Sequence, residues 1–267
     1  MNITPHLGIG DLLIIKMKQI SNNLTIEHIN INKNLILTYC ENYDIKINFI
    51  EKFISLLFDN INICINNNNI DFHIFDNYTI TNTYLYNYIN HTLINYKNEY
   101  SDYIIFHTKM RHDGLIDKFN NELLSSLIIF LENFKTSKKI IILGERNIGK
   151  NLETEIHKTI SLYNILLLLK KNNIVIDLSN DILTCGNPNF NNFLIEIEII
   201  NKALCNITFG IGGPLIICKS YSEKNISFIP FYEISPHKNS IDKIMINNSL
   251  VVSIEDLNNK ISIFTEC

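Results

Sequence analysis

Alanine occurs once in the 267 residues, at Ala203, and there are five prolines and nine glycines. No apolar run approaches the ~20 residues that a membrane-spanning helix needs. Runs such as Ile165–Leu169 stop far short of it. No basic stretch followed by an apolar segment opens the chain, so a secretory signal is not expected. The six cysteines (Cys40, Cys64, Cys185, Cys205, Cys218 and Cys267) lack CxxC spacing. That is the pattern of reduced thiols in a cytoplasmic protein rather than of a disulfide frame or a zinc site. GxxxxGK[ST] is missing, which argues against a P-loop kinase or ATPase. No serine sits in a GxSxG elbow and no cysteine adjoins a histidine, so covalent hydrolase chemistry has no support. There is no basic run, and 23 basic against 27 acidic side chains leave a formal charge of −4. General binding to nucleic acid or to a membrane surface is therefore not expected.

What is present is aliphatic. Hydrophobic residues make up 46% of the chain, with 53 isoleucines and 41 asparagines. The Ile/Asn excess is what AT-rich codons produce and bears on no chemistry. Such content with so small a net charge excludes intrinsic disorder, and the length suits one large domain or two small ones. Strand-like and helix-like runs alternate, the signature of an α/β fold with a mostly parallel sheet. The expected architecture is a compact pair of Rossmann-like βα domains facing a cleft, residues 1–98 and 99–267, joined through the polar stretch Tyr96–Asp102. In the first half, helices are expected over Leu12–Ile20 and Ile45–Phe58, with strands at Thr25–Ile31, Leu35–Thr38, Ile61–Ile65 and Asp71–Phe75. In the second half, strands are expected at Tyr103–His107, Lys139–Leu143, Ile174–Leu178, Asn206–Phe209 and Ile226–Phe231. Helices are expected at Leu123–Phe134, Phe193–Ala203 and Gly212–Tyr221, and Leu250–Ile254 with Asp256–Phe264 closes the chain. Ile156, Ile160, Tyr163 and Leu167 also predict one long helix over Glu153–Lys171. A ligand in such a fold lies outside the carboxyl ends of the strands.

Four segments fall at those ends. In His6-Leu7-Gly8-Ile9-Gly10-Asp11 the glycines let backbone approach a ligand, and Asp11 stands in the first turn of a helix. The plainer reading is a tight turn with a capping Asp. In His107-Thr108-Lys109-Met110-Arg111-His112-Asp113, Lys109 and Arg111 share one side of an extended segment and could grip a diphosphate. The histidines match no usual zinc spacing, and a solvated loop remains the alternative. Gly144-Glu145-Arg146-Asn147 places a charged pair where a sugar, a base or a phosphate would lie, although the two could simply pair with each other. Phe209-Gly210-Ile211-Gly212-Gly213-Pro214 presents unblocked N–H groups at a helix start, suited to an anion; close helix–strand contact is the other explanation. Asp177 ends a strand and could cap the next segment.

Taken together, these segments resemble a GT-B glycosyltransferase of the heptosyltransferase-like branch (family 9-like). His6–Leu13 resembles its opening L-G-x-G-D segment. Phe106-His107-Thr108-Lys109 resembles the strand that ends in a phosphate-binding lysine. Gly210–Pro214 resembles the late glycine-rich loop where the donor diphosphate docks. The family usually carries an Asp before those glycines and a His after the proline, where this chain has Gly210 and, near position 217, Ile217. The resemblance implies metal-independent, inverting transfer of a sugar from a nucleotide-sugar to a glycan or other hydroxyl acceptor, with no cofactor. Asp11 would be the general base. Lys109, Arg111, Gly212 and Gly213 would hold the diphosphate, with Glu145 and Arg146 on the donor side and His6, Gly8 and Gly10 in the acceptor-side loop. The alternatives are a non-catalytic nucleotide-sugar binder, a nucleotide-sugar 2-epimerase using acids such as Asp177 and Glu145, and a structural protein whose glycine turns are only architectural.

Overall fold

The computed structural model describes residues 2–3, 9–32, 43–66, 85–89, 102–111, 121–146, 159–179, 189–210, 213–235, 238–239 and 249–265. The small sheet holds β1 (Asn2–Ile3), β2 (His28–Asn32) and β3 (Asn62–Asn66) in that order, all parallel. Helix α1 (Ile9–Ser21) precedes β2, and α2 (Tyr43–Leu57) precedes β3. The second half begins with β4 (Tyr103–Arg111), α3 (Asn121–Asn133), β5 (Lys139–Leu143) and β6 (Thr159–Ser161). A single-turn α4 (Tyr163–Leu166) and a 3-10 turn (Leu167–Lys171) lead to β7 (Val175–Asp177) and α5 (Phe190–Lys202). Then come β8 (Cys205–Gly210), α6 (Gly213–Tyr221), β9 (Asn225–Phe228), β10 (Ser249–Val251) and α7 (Ile254–Thr265).

The large sheet runs β10-β9-β8-β4-β5-β7, parallel throughout, with β6 antiparallel against the end of β4. Alternation along its central strands separates two cores. Ile104 and Phe106 of β4 and Ile140 and Ile142 of β5 face a cluster completed by Leu127 and Leu131 of α3 and by Leu257 and Ile261 of α7. Ile105, Ile141 and Leu143 face the other way, onto Phe193, Ile197 and Ile200 of α5 and Ile217 and Tyr221 of α6. Burial on both faces is why these strands read as unbroken apolar runs. The second cluster does not stop at α5 and α6. It continues through Leu13 and Ile15 of α1 and Ile50, Phe53 and Ile54 of α2 to Ile29 and Ile31 of β2. The layers are therefore helices, large sheet, helices, helices, small sheet. Among the described residues no helix is long and apolar enough to cross a membrane.

Local signals explain the boundaries. Helix α5 starts where Asn189 Oδ1 accepts hydrogen bonds from the N–H groups of Asn191 (3.0 Å) and Asn192 (3.1 Å), a cap that contributes ~1 kcal/mol. Strand β5 has the bounds expected of it, while β4 runs four residues past His107. Its extension pairs on one side with β6 (Lys109↔Ser161, Arg111↔Thr159) and on the other with β8. Lys109 and Arg111 thus belong to a strand, not to a loop after one.

The long helix over Glu153–Lys171 is also corrected. Residues 151–158 lie outside the described set, and Thr159–Ser161 is strand β6. The β-branched Thr159 and Ile160 suit the pleated pairing with β4. Leu166 and Leu169, both buried, stand three apart, which fits a 3-10 turn better than a continuing α-helix. The expected strands at Leu35–Thr38 and Asp71–Phe75 lie outside the described residues.

Three rings clamp α2 to α5: Phe53 meets Phe193 edge-on at 5.2 Å, and Phe49 lies 5.6 Å from Phe193. Phe53 is fully buried. Replacing it with alanine is expected to cost about 3–5 kcal/mol; a denaturant titration that finds less than 1 kcal/mol would contradict this packing.

Candidate functional site

Strand order locates a crevice. From β4 the chain steps outward through β5 to β7, then returns to β8 on the opposite side and steps out through β9 to β10. The helices that follow β4 and β8, α3 and α6, lie on opposite faces of the sheet, and the carboxyl ends of such a strand pair are where open α/β sheets receive ligands. The register places Met110 beside Phe209 and Arg111 beside Gly210. Helix α6 begins three residues later, at Gly213. The end of β4, with Lys109 and Arg111, thus stands beside Gly210 at the end of β8. Gly210 has φ +69°, a conformation that favours glycine as the strand turns toward α6. The first segment joins them. A Cβ on Gly10 would lie 3.1 Å from Cδ1 of Ile216, so the absence of a side chain lets α1 press against α6. Asp11 stands half-buried in the first turn of α1, where the helix dipole favours a negative charge. His6, Gly8 and Gly212 lie outside the described residues; Arg111 and Gly213 are placed by their backbone.

Glu145 and Arg146 do not pair with each other. Gly144, at φ +107°, turns the chain so tightly that a Cβ there would meet Thr108 Oγ1 at 2.7 Å. Thr108 Oγ1 donates to the Glu145 carbonyl at 2.6 Å, and Ser161 Oγ donates to the same oxygen at 3.1 Å. So anchored, the Glu145 side chain is 5% exposed, with its Oε2 3.5 Å from Lys109 Nζ. Burial raises the Glu145 carboxyl above its ordinary range, against the pull of Lys109 and of Lys46 on α2.

Arg146 turns to the β7 edge instead. Its Nη2 donates to Asp177 Oδ2 at 3.2 Å, its Nε to Ser179 Oγ at 3.1 Å, and its guanidinium lies 5.0 Å from the centre of the Tyr163 ring. The Tyr163 hydroxyl donates to Asp177 Oδ2 at 2.7 Å, and Ser179 donates to Oδ1 through both its N–H (3.0 Å) and its hydroxyl. Burial opposes ionisation of Asp177, yet these hydrogen bonds outweigh it and hold the carboxyl below its usual range. Asp177 closes the turn after β7, as expected of it, and also ties down Arg146.

Behind the crevice, between the large sheet and α5 and α6, lies a cluster of buried polar side chains. His107 Nε2 is 3.0 Å from Cys218 Sγ. Burial pushes the imidazole down to about 4 and the thiol well up, so both are neutral at pH 7. Glu196 of α5 is 3% exposed and its Oε2 has no hydrogen-bond partner among the described residues. Burial, with the charge of Glu145 adding to it, pushes this carboxyl up to about 8. Thr108, Ser161, Tyr163 and Glu196 are not among the residues that motif reading selects. The signal for Glu196 is nonetheless present, because it shares the apolar stripe of Phe193, Ile197 and Ile200. Among the described residues no three His, Cys, Asp or Glu side chains gather to hold a metal ion. No protein-family model, curated protein or solved structure matches this chain.

The turn and the buried imidazole can each be tested. Gly144→Ala forces both a strained φ and the Thr108 contact, and is expected to lose about 1–3 kcal/mol, whereas an unchanged melting temperature would contradict the turn. His107 in the folded chain refuses a proton that the unfolded chain binds below about 6.5. Stability should therefore be fully present above pH 6.5 and fall as pH drops toward 4, by on the order of 3 kcal/mol. His107→Asn should flatten that window, and parallel curves for the two proteins from pH 7 to 4 would count against a neutral buried imidazole.

Proposed function

We propose that the chain is a GT-B type glycosyltransferase. It would move a sugar from a nucleotide-sugar donor to a hydroxyl acceptor, with inversion and without a divalent ion. The observation that carries this reading is the meeting of the β4 end, the β8 end and the α6 start at the point where strand order reverses, with α1 packed against α6. A diphosphate placed there would have the end of β4, with Lys109 and Arg111, on one side and the start of α6 at Gly213 on the other. In the reaction, the Asp11 carboxylate takes the proton of the acceptor hydroxyl as that oxygen attacks the anomeric carbon. The bond from that carbon to the diphosphate oxygen breaks, and the nucleoside diphosphate leaves with the electron pair. Cations and helix N–H groups stabilise the charge that develops on the leaving group. In this reading Glu145 and Arg146 serve the donor's sugar and nucleoside, and His6, Gly8 and Gly10 serve the acceptor. A second reading, a nucleotide-sugar binder without turnover, draws on the internal pairing of Lys109 and Arg146 with acids and on Gly210 standing where the resembled family has an Asp. The Asp177 carboxylate is engaged by Arg146, Tyr163 and Ser179, which weighs against its use as an epimerase acid.

Thermal-shift titration with UDP, GDP, ADP, CDP, TDP and CMP tests the site. One ligand at ~100 times its dissociation constant adds about 2.7 kcal/mol, a shift of several degrees. No shift with any of them overturns both readings. Where one nucleotide binds, Asp11→Asn should lower transfer by about 10²–10⁴-fold while leaving nucleotide affinity within a few-fold. Equal loss of both would remove Asp11 from the general-base role. Binding without transfer or donor hydrolysis by the wild-type protein would select the non-catalytic reading.

A further inference from the structure

The transferase reading leaves a buried acid behind the phosphate site without a task. Of the acids on α5, Glu198 accepts a hydrogen bond from Tyr86 and pairs with Lys202 at 3.5 Å. Glu196 instead lies within the field of Glu145, the residue that holds Lys109 at 3.5 Å. Its surroundings come from five elements. Glu145 follows β5, with Lys109 of β4 and Lys46 of α2 beyond it. On the other side lies Cys218 of α6, backed by His107 of β4 and Cys205 of β8. His107 is neutral above about 4, and burial keeps both thiols protonated. Lys219 of α6, which burial pushes down to about 8, interacts with Glu223. No cation stands against Glu196 itself: among the described residues its Oε2 is buried with no partner at all. A carboxylate there would add a second negative charge beside Glu145 in a medium that screens poorly.

We propose that Glu196 is a positioning residue of the phosphate site: while neutral it leaves Glu145 as the only counter-charge to Lys109, and when ionised it repels an arriving phosphate. This rests on the reading that Lys109 receives a diphosphate. Glu196 touches no ligand and acts through Glu145 and the local potential. With its carboxyl at about 8, the neutral form prevails at pH 7 and the anion at pH 9. A bound diphosphate, itself negative, must then draw a proton onto Glu196, because the two equilibria are linked reciprocally.

The test uses the full chain and the five nucleoside diphosphates UDP, GDP, ADP, CDP and TDP. For a nucleotide that binds at pH 7, affinity of the wild-type protein should fall about fivefold by pH 9, as expected when the one added charge of ionised Glu196 weakens binding about tenfold relative to the neutral form. Glu196→Gln, of the same size and neutral at every pH, should keep its pH 9 affinity within about twofold of its own pH 7 value. Lys219 titrates in both proteins, so the difference between them isolates Glu196. A second measurement needs no variant. Calorimetry at pH 8 in two buffers of different ionisation enthalpy should find about 0.4 protons taken up per nucleotide bound, the uptake that corresponds to a tenfold affinity change. Identical pH profiles for wild type and Glu196→Gln, or no proton uptake by the wild type, would overturn the role of Glu196 and leave the nucleotide reading standing. Failure of all five nucleotides to bind at pH 7 would overturn both.

Discussion

A strand buried on both faces has no water to satisfy its backbone, so every N–H and C=O must find another strand, and β4 meets that demand three ways. Its first half pairs with β5 and β8, and its last residues pair with β8 and with the antiparallel β6. The register slip between Phe106 and Met110 on the β8 side marks where the strand turns from apolar core to polar end. Ile104 and Ile105, one to each core, hold the strand in place. Thr108 and Lys109 are then delivered to the sheet's carboxyl edge with little freedom. The Gly144 turn, the Glu145 carbonyl and β6 are all referenced to Thr108 or to the strand around it. A change that let β4 slip would move both charged clusters of the candidate site together.

The site is electrostatically closed on itself. Lys109 is matched by Glu145, whose backbone carbonyl is anchored by the Thr108 and Ser161 hydroxyls, and Arg146 by Asp177, whose carboxylate also accepts from Tyr163 and Ser179. Pairs of this kind are weak contributors to stability, because desolvation offsets most of the Coulomb gain. Their stronger effect is on order: the two cations are kept from wandering and present defined directions at the strand ends. An anionic ligand would meet cations already partnered, so its affinity depends on how far Glu145 yields Lys109. The neutral layer of His107, Cys218 and Glu196 beneath them lowers the local dielectric and makes that exchange more sensitive to any added charge.

The sheet was legible in the residues because aliphatic runs bounded by polar turns leave few alternatives. Lys139–Leu143 is the clearest instance, with the same limits in sequence and structure. Pairings across the fold were not legible. Nothing local to Glu145 indicates that Lys109, not Arg146, is its partner, because the seating of the Gly144 turn against Thr108, distant in sequence, decides which way the side chain faces. The segment after Lys158 misled in another manner. Its Ile and Leu spacing satisfies a helix, but β4 offered Thr159–Ser161 a ladder, and tertiary pairing overrode the local period. Glu196 was hidden by its neighbours, an acid inside Leu194–Ile200 that reads as one more turn of an apolar helix.

The apolar cluster that runs from the large sheet through α5, α6, α1 and α2 to the small sheet has a mechanical consequence. Swinging one sheet away from the other would part Leu13 and Phe53 from Ile217 and Phe193, at about 1.5–3 kcal/mol for each side chain wetted. Ile216 resting against Gly10 leaves no gap from which such a motion could start. The molecule is therefore stiff along the axis that two-lobed proteins commonly use to admit and enclose a ligand.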